Sequence, residues 1–114
     1  MLDHSDPLSA LFTALADPNR RAMVETLSQG AAPVGALAEP LPITLAAVLQ
    51  HVQVLEGAGV IETEKKGRTR LCRLAPEGLK PLRRWIEDRE AYWHGQFDQL
   101  EDYLNRTDPK GDDR

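Results

Sequence analysis

The sequence predicts a mainly α-helical fold that carries one small β-hairpin and ends in a long helix. Three observations predict it. Apolar residues recur at helical spacing through most of the chain, and the one alternating stretch is split by Lys66-Gly67-Arg68. The last helical pattern then runs unbroken from about residue 79 to 105. At 114 residues the chain is expected to form one domain over 1–114.

The elements follow in order. Residues 1–6 and 107–114 are polar and unpatterned and are expected to be frayed ends. Leu8, Leu11, Phe12 and Leu15 place a first helix at about Pro7 to Ala16. Asp17-Pro18 is a helix start, since Asp caps and Pro fits the first turn. That second helix carries Ala22, Met23, Val24 and Leu27 inward and stops near Gly30. A short helix at about Val34 to Glu39 lies between Pro33 and Pro40. Thr44 then caps a longer one, Leu45 to about Ala58, with Val48, Val52 and Leu55 as its inward stripe. A four-residue turn, Pro40-Leu41-Pro42-Ile43, separates these two, which gives helix-turn-helix proportions over about 34–58. Gly57 and Gly59 let the chain reverse into two strands, Val60–Lys65 and Thr69–Leu74.

The long last helix spans roughly 40 Å, with Pro81 in or near its first turn. Leu82, Ile86, Trp93, Phe97, Leu100 and Leu104 form a stripe on it, widened by Trp85, Tyr92 and Tyr103. This is more apolar surface than a small helical core covers, so it predicts a seam between two copies of the chain.

Charge is distributed unevenly. The net charge is −4, yet residues 60–84 hold eight Lys or Arg against three Glu, a local +5, while 1–59 sum to −4 and 85–114 to −5. Lys65, Lys66, Arg68 and Arg70 gather at the hairpin tip. Phosphate attraction is local and screened beyond roughly 10 Å, so a basic strip on an acidic body can serve a nucleic-acid duplex; a solvated hairpin without a partner has the same composition.

Other functions find little support. No apolar run approaches the ~20 residues that cross a bilayer, no signal-peptide layout opens the chain, and a single cysteine rules out a disulfide framework or a multi-thiolate zinc site. A cytoplasmic, non-enzymatic protein without cofactor is the expectation. Ser5, Ser9 and Ser28 lack a nucleophile setting, and Glu87-Asp88 and Glu101-Asp102 lie on a solvated helical face. Cys72 reads as a buried small hydrophobe rather than a redox sensor. No metal is expected; His94 and Asp98, one turn apart, with His4 as a third, are the nearest approach to a ligand set. His51 suits a structural or phosphate-contacting role. Arg20 and Arg21 oppose the dipole of the helix they begin, which suggests either phosphate contact or a salt bridge to an acidic neighbour. Trp85 and Trp93 pack, or else line a pocket for an unidentified small-molecule effector.

The sequence resembles the ArsR (arsenic-repressor-like) family of winged helix-turn-helix transcriptional regulators over about residues 8–105. The likeness is carried by Leu15-Ala-Asp-Pro-Asn-Arg-Arg, by Ala47-Val-Leu-Gln-His-Val-Gln-Val-Leu-Glu-Gly-Ala-Gly-Val-Ile, and by Gly67-Arg-Thr-Arg with Arg73-Leu74. The terminal Trp93 and Phe97-Asp-Gln-Leu-Glu-Asp-Tyr-Leu are similar to a subgroup without the metal-site cysteines, and Val34–Leu41 indeed holds none. The resemblance implies a homodimer on double-stranded DNA, a recognition helix in the major groove and a wing (about 60–74) on backbone or minor groove. Leu45, Ala46, Leu49, Gln50 and Gln53 would then face bases, with Thr44 or His51 near phosphate, and Lys65, Lys66, Arg68 and Arg70 would form the wing contact. The terminal helix would dimerise through Trp85, Ile86, Trp93, Phe97, Leu100 and Leu104, with Leu8, Leu11 and Phe12 beside it. The expected function is a repressor on a palindromic operator; the alternative is an interaction module that has lost specific DNA binding, which the cation-poor recognition helix favours.

Overall fold

The computed structural model describes residues 6–107. The order is α1 (Pro7–Leu15), α2 (Pro18–Leu27), β1 (Ala32–Pro33), α3 (Val34–Ala38), α4 (Leu45–Gly57), β2 (Ile61–Lys66), β3 (Thr69–Leu74) and α5 (Lys80–Thr107). The described residues pack as two compact units that divide between Leu82 and Arg83. Most of the residues expected to be frayed lie outside the described range. Asp6 does not fray: its carboxylate accepts from the Ser9 backbone N–H at 2.8 Å and caps α1.

The caps that the sequence signals do form. Asp17 accepts from the backbone N–H groups of Asn19 (2.7 Å) and Arg20 (3.2 Å), and the Thr44 hydroxyl accepts from Ala47 N–H at 3.1 Å. Burial pulls the Asp17 carboxyl upward, but those two N–H donors, with the attraction of His51 and Arg20 added, hold it below its ordinary value. α4 ends as a Schellman motif: Gly59 adopts φ +82° while Val60 N–H donates to Leu55 O and Gly59 N–H to Glu56 O, both at 3.0 Å. Leu55 and Val60 are both buried there, the apolar contact that accompanies this cap.

Inward stripes meet in one core of the first unit: Leu11 and Ala14 of α1, Met23 and Leu27 of α2, Leu37 of α3, and Val48, Val52 and Leu55 of α4, closed by Ile61 and Cys72. Each fully buried large side chain contributes roughly 1.5–3 kcal/mol. Leu11 is therefore a correction. Its spacing with Leu8 and Phe12 suggested a dimer surface, but it is 1% exposed within a single chain and belongs to the core. Leu82 likewise packs against this core.

The wing is a three-stranded antiparallel sheet in the order β1-β3-β2, one strand more than the expected hairpin. Ala32 pairs with Cys72 and Pro33 with Leu71. β1 is two residues long and ends in proline, tolerable only at a sheet edge, so no alternation announces it. Thr63 opposite Cys72 and Lys65 opposite Arg70 share one face; Glu62 opposite Arg73 and Lys66 opposite Thr69 share the other. Gly67, at φ +64°, takes the first position of the two-residue turn before Arg68.

In the second unit α5 continues to Thr107 with its large apolar side chains exposed. Trp93 and Phe97 meet edge-on with centroids 5.0 Å apart, and the Arg89 guanidinium lies 5.3 Å from the Trp85 ring centroid.

One backbone approach fixes where the wing leaves the core. Ala75 N–H donates to Val60 O at 2.9 Å, and a Cβ on Gly78 would stand 2.5 Å from Gly59 O. Gly78→Ala must push these backbones apart and is expected to lower stability by about 1–3 kcal/mol. Chemical denaturation of both proteins checks this; an unchanged midpoint contradicts the tight approach.

Candidate nucleic-acid interface

Opposite its buried stripe α4 presents a free face. At 100° per residue, Ala46, Gln50 and Gln53 lie within roughly 50° of the direction opposite Val48, Val52 and Leu55, and all three are exposed. Leu45, Leu49 and Glu56 flank that face on the wing side, with Leu45 55% and Leu49 41% exposed. His51 and Val54 flank it on the α2 side. Thr44 stands at the N-terminal end, its hydroxyl committed to the cap.

Two open clefts border this helix. One, of about 380 Å³, is lined by Leu45 and Leu49 together with Arg68, Thr69 and Arg70 of the wing and Pro33, Val34 and Gly35. The other, of about 430 Å³, is lined by Gln50, Gln53, Val54, His51 and Arg20. The first cleft places Leu45 and Leu49 beside the wing cations Arg68 and Arg70, and the second holds Gln50 and Gln53; Ala46, Lys65 and Lys66 line neither. The short helix α3 was expected, but not that β1 and the start of α3 line the first cleft, because a two-residue strand leaves no pattern.

The wing cations are not equivalent. Arg70 Nη1 donates to the Thr63 hydroxyl at 2.8 Å, and that hydroxyl donates to Glu56 Oε2 at 2.9 Å. Arg70 is therefore tied through Thr63 to the end of α4, which revises its placement as a cation reaching outward from the tip. On the opposite face Arg73 pairs with Glu62 (3.2 Å) and Glu64 (3.4 Å), and near the start of α5 Lys80 pairs with Glu77 (3.2 Å). These exposed pairs are individually weak, but on the wing they leave the positive charge to Lys65, Lys66, Arg68 and Arg70. Lys65 and Lys66 point to opposite faces of the hairpin.

Arg20 and Arg21 turn to the carbonyl end of α1, a placement beyond the phosphate contact or salt bridge that the sequence offered. Arg20 Nε donates to Ala14 O at 2.6 Å and Nη2 to Thr13 O at 3.1 Å, while Arg21 Nη1 donates to Leu15 O (2.8 Å) and Ala16 O (3.0 Å). Both guanidinium groups satisfy the C-terminal carbonyls of α1, where positive charge is favourable. Arg20 Nη1 also meets His51 Nδ1 at 3.1 Å. No local spacing reveals a bond between residues 20 and 51.

Cys72 is fully buried, and burial raises its thiol above the ordinary value. Among the described residues no three of His, Cys, Asp or Glu gather as a metal site, and no helix is long and apolar enough to cross a membrane. His4 lies outside the described residues.

Known proteins share this arrangement. A family description of a helix-turn-helix domain matches residues 15–64. The HTH-type transcriptional regulator Rv2034 of Mycobacterium tuberculosis is 40% identical over 102 residues, 90% of each chain. A crystal structure of an ArsR family transcriptional regulator is 37% identical and superposes with a TM-score of 0.75, covering 78% of this chain and 98% of that one. This chain belongs to the ArsR family. The HTH-type transcriptional repressor SmtB of M. tuberculosis is also similar, 38% identical over 74 residues, 65% of this chain and 55% of that protein. Within this ArsR-family regulator α3 and α4 form the helix-turn-helix, and β1–β3 form the wing.

Titration with zinc, cadmium or arsenite is expected to reveal no stoichiometric site and to leave duplex affinity within about twofold, since soft metals need clustered thiolate or imidazole ligands. A tenfold loss of DNA binding with one metal per subunit would overturn this and point to His94 and Asp98.

Proposed function

We propose that this ArsR-family protein is a repressor that binds a palindromic operator as a homodimer. The observation that carries the reading is the free face of α4, where Ala46, Gln50 and Gln53 stand opposite the buried stripe beside a cleft walled by Arg68 and Arg70. A helix presented this way fits the major groove, and the adjoining wing meets backbone or minor groove. Gln50 and Gln53 can pair bidentately with adenine, and Leu49 and Leu45 can meet thymine methyls. Lys65, Lys66 and Arg68 supply attraction to phosphate that is indifferent to sequence.

Dimerisation through α5 supports a two-fold operator. Ile86, Trp93, Phe97, Leu100 and Leu104 stand exposed along one stripe of that helix, Trp93 at 59%, and isologous pairing of two copies would cover them. Leu8, Phe12 and Trp85 belong to the same proposal; Leu11 does not. The exposed Leu45 and Leu49 favour a second reading, a protein-interaction module, which salt-dependent retention on duplex DNA separates from the first. A small-molecule effector at the aromatic seam is part of the proposal without a ligand class.

Replacing Trp93 and Leu100 together by Asp places charge in the seam and is expected to cost several kcal/mol of association. Sedimentation then shows a monomer for the variant and a dimer for the parent; a parent that is monomeric at micromolar concentration contradicts the seam.

Wing and recognition helix should fail differently. Arg68→Ala weakens binding to all duplexes alike and flattens the salt dependence by about 0.9, the slope that one neutralised phosphate supplies. Gln50→Ala removes roughly 1–3 kcal/mol of base discrimination and leaves weak non-specific binding intact. Affinities for operator and random duplex across a salt series decide it: an unchanged specificity ratio in Gln50→Ala, with the ratio abolished in Arg68→Ala, reverses the roles.

A further inference from the structure

We infer that His51 contacts a DNA phosphate as a neutral donor through its Nε2–H, and that Arg20 is the positioning residue that holds the ring in this form. This rests on the DNA-binding reading and adds an anchor on the side of α4 away from the wing.

A guanidinium carries five N–H donors, no acceptor, and stays protonated. Arg20 Nη1 stands 3.1 Å from His51 Nδ1, so a hydrogen bond there requires Nδ1 to offer its lone pair. The ring proton then resides on Nε2. An imidazolium would instead set two N–H groups against each other.

Arg20 cannot easily turn away. Its Nε and Nη2 are bound to Ala14 O and Thr13 O, and its backbone N–H is bound to the Asp17 carboxylate. The side chain thus springs from α2 and is bound to α1 before it meets α4. The Asp17 carboxylate, which attracts a charged imidazole at His51, is already engaged by the backbone N–H groups of Asn19 and Arg20.

The cleft beside this pair is lined by Gln50, Gln53 and Val54 with Arg20 and His51, and no carboxylate lines it. It offers an imidazole N–H, two amide groups and the guanidinium N–H groups spent on neither α1 nor His51. That set suits an anion with several acceptor oxygens, and a phosphodiester flanking the groove entered by α4 has this chemistry. A neutral donor differs from the wing cations in one measurable respect: it positions the backbone without displacing a condensed counterion.

The test uses the full chain and a random-sequence duplex at pH 8 across a salt series. His51→Leu is expected to weaken binding about tenfold with an unchanged salt slope, and His51→Gln, which keeps an amide donor, to restore most of the affinity. Ring 15N spectra of the parent should show the Nε2–H tautomer, and Arg20→Gln should convert it to a mixture. Unaltered affinity in His51→Leu, a slope lower by about 0.9, or a parent ring protonated on Nδ1 would each overturn the donor role. A ring pattern unchanged in Arg20→Gln overturns the positioning role. Should the parent fail to bind the duplex even at low salt, the DNA reading itself falls; binding that survives while His51→Leu changes nothing removes this inference alone.

Discussion

Every α-helix ends with carbonyl groups that its own backbone cannot satisfy. In this chain the end of α1 is followed after two residues by the start of α2, too little chain for a separate capping segment. Arg20 and Arg21 supply the missing donors from the first turn of the next helix. Because Arg20 also reaches His51, the solution for one helix end sets the position of α4 as well. The planar fork of a guanidinium makes this possible, for a lysine at the same site could not divide its donors among Ala14, Thr13 and His51 with fixed geometry.

The other flank of α4 is bound to the wing in a different way. The Schellman turn at Gly59, the bond from Ala75 to Val60 and the close approach of Gly78 are backbone constraints. The Glu56–Thr63–Arg70 chain adds a side-chain constraint between the helix end and both long strands. β1 closes the sheet on its far edge and leads directly into α3. Wing, helix-turn-helix and core are consequently one mechanical piece in the first unit, and the spacing between α4 and the hairpin is set by the fold before any ligand arrives.

What could be read in the sequence divides along the same physical line. Asp17-Pro18, Thr44 and Gly67 act within three or four residues of themselves, so their helix starts and turn were legible and their bonds form as expected. The stripe Val48, Val52, Leu55 repeats at helical period and was legible for the same reason, and with it the identity of the outward face. Leu11 was misplaced because period alone cannot tell which of several adjacent apolar residues points to the core and which to a surface. β1 was invisible, being two residues that act only through pairing with Leu71 and Cys72. Arg20 stood out for opposing its helix dipole and Arg70 only as one of the tip cations; their partners lie on separate elements, and composition carries no information about which acceptor a long cation will find.

The ion pairs on the outer wing have a consequence for how the molecule moves. By cancelling Arg73 against Glu62 and Glu64, they leave the wing's positive charge to Lys65, Lys66, Arg68 and Arg70, on a chain whose first 59 residues sum to −4. Opposite charge at the wing and in the rest of a body gives it an electric dipole. In the field of a polyanionic surface it experiences a torque that turns the tip forward while the acidic remainder is pushed back. Encounters therefore arrive already oriented, and the rotational search that ordinarily slows macromolecular association is shortened, most strongly when salt is low.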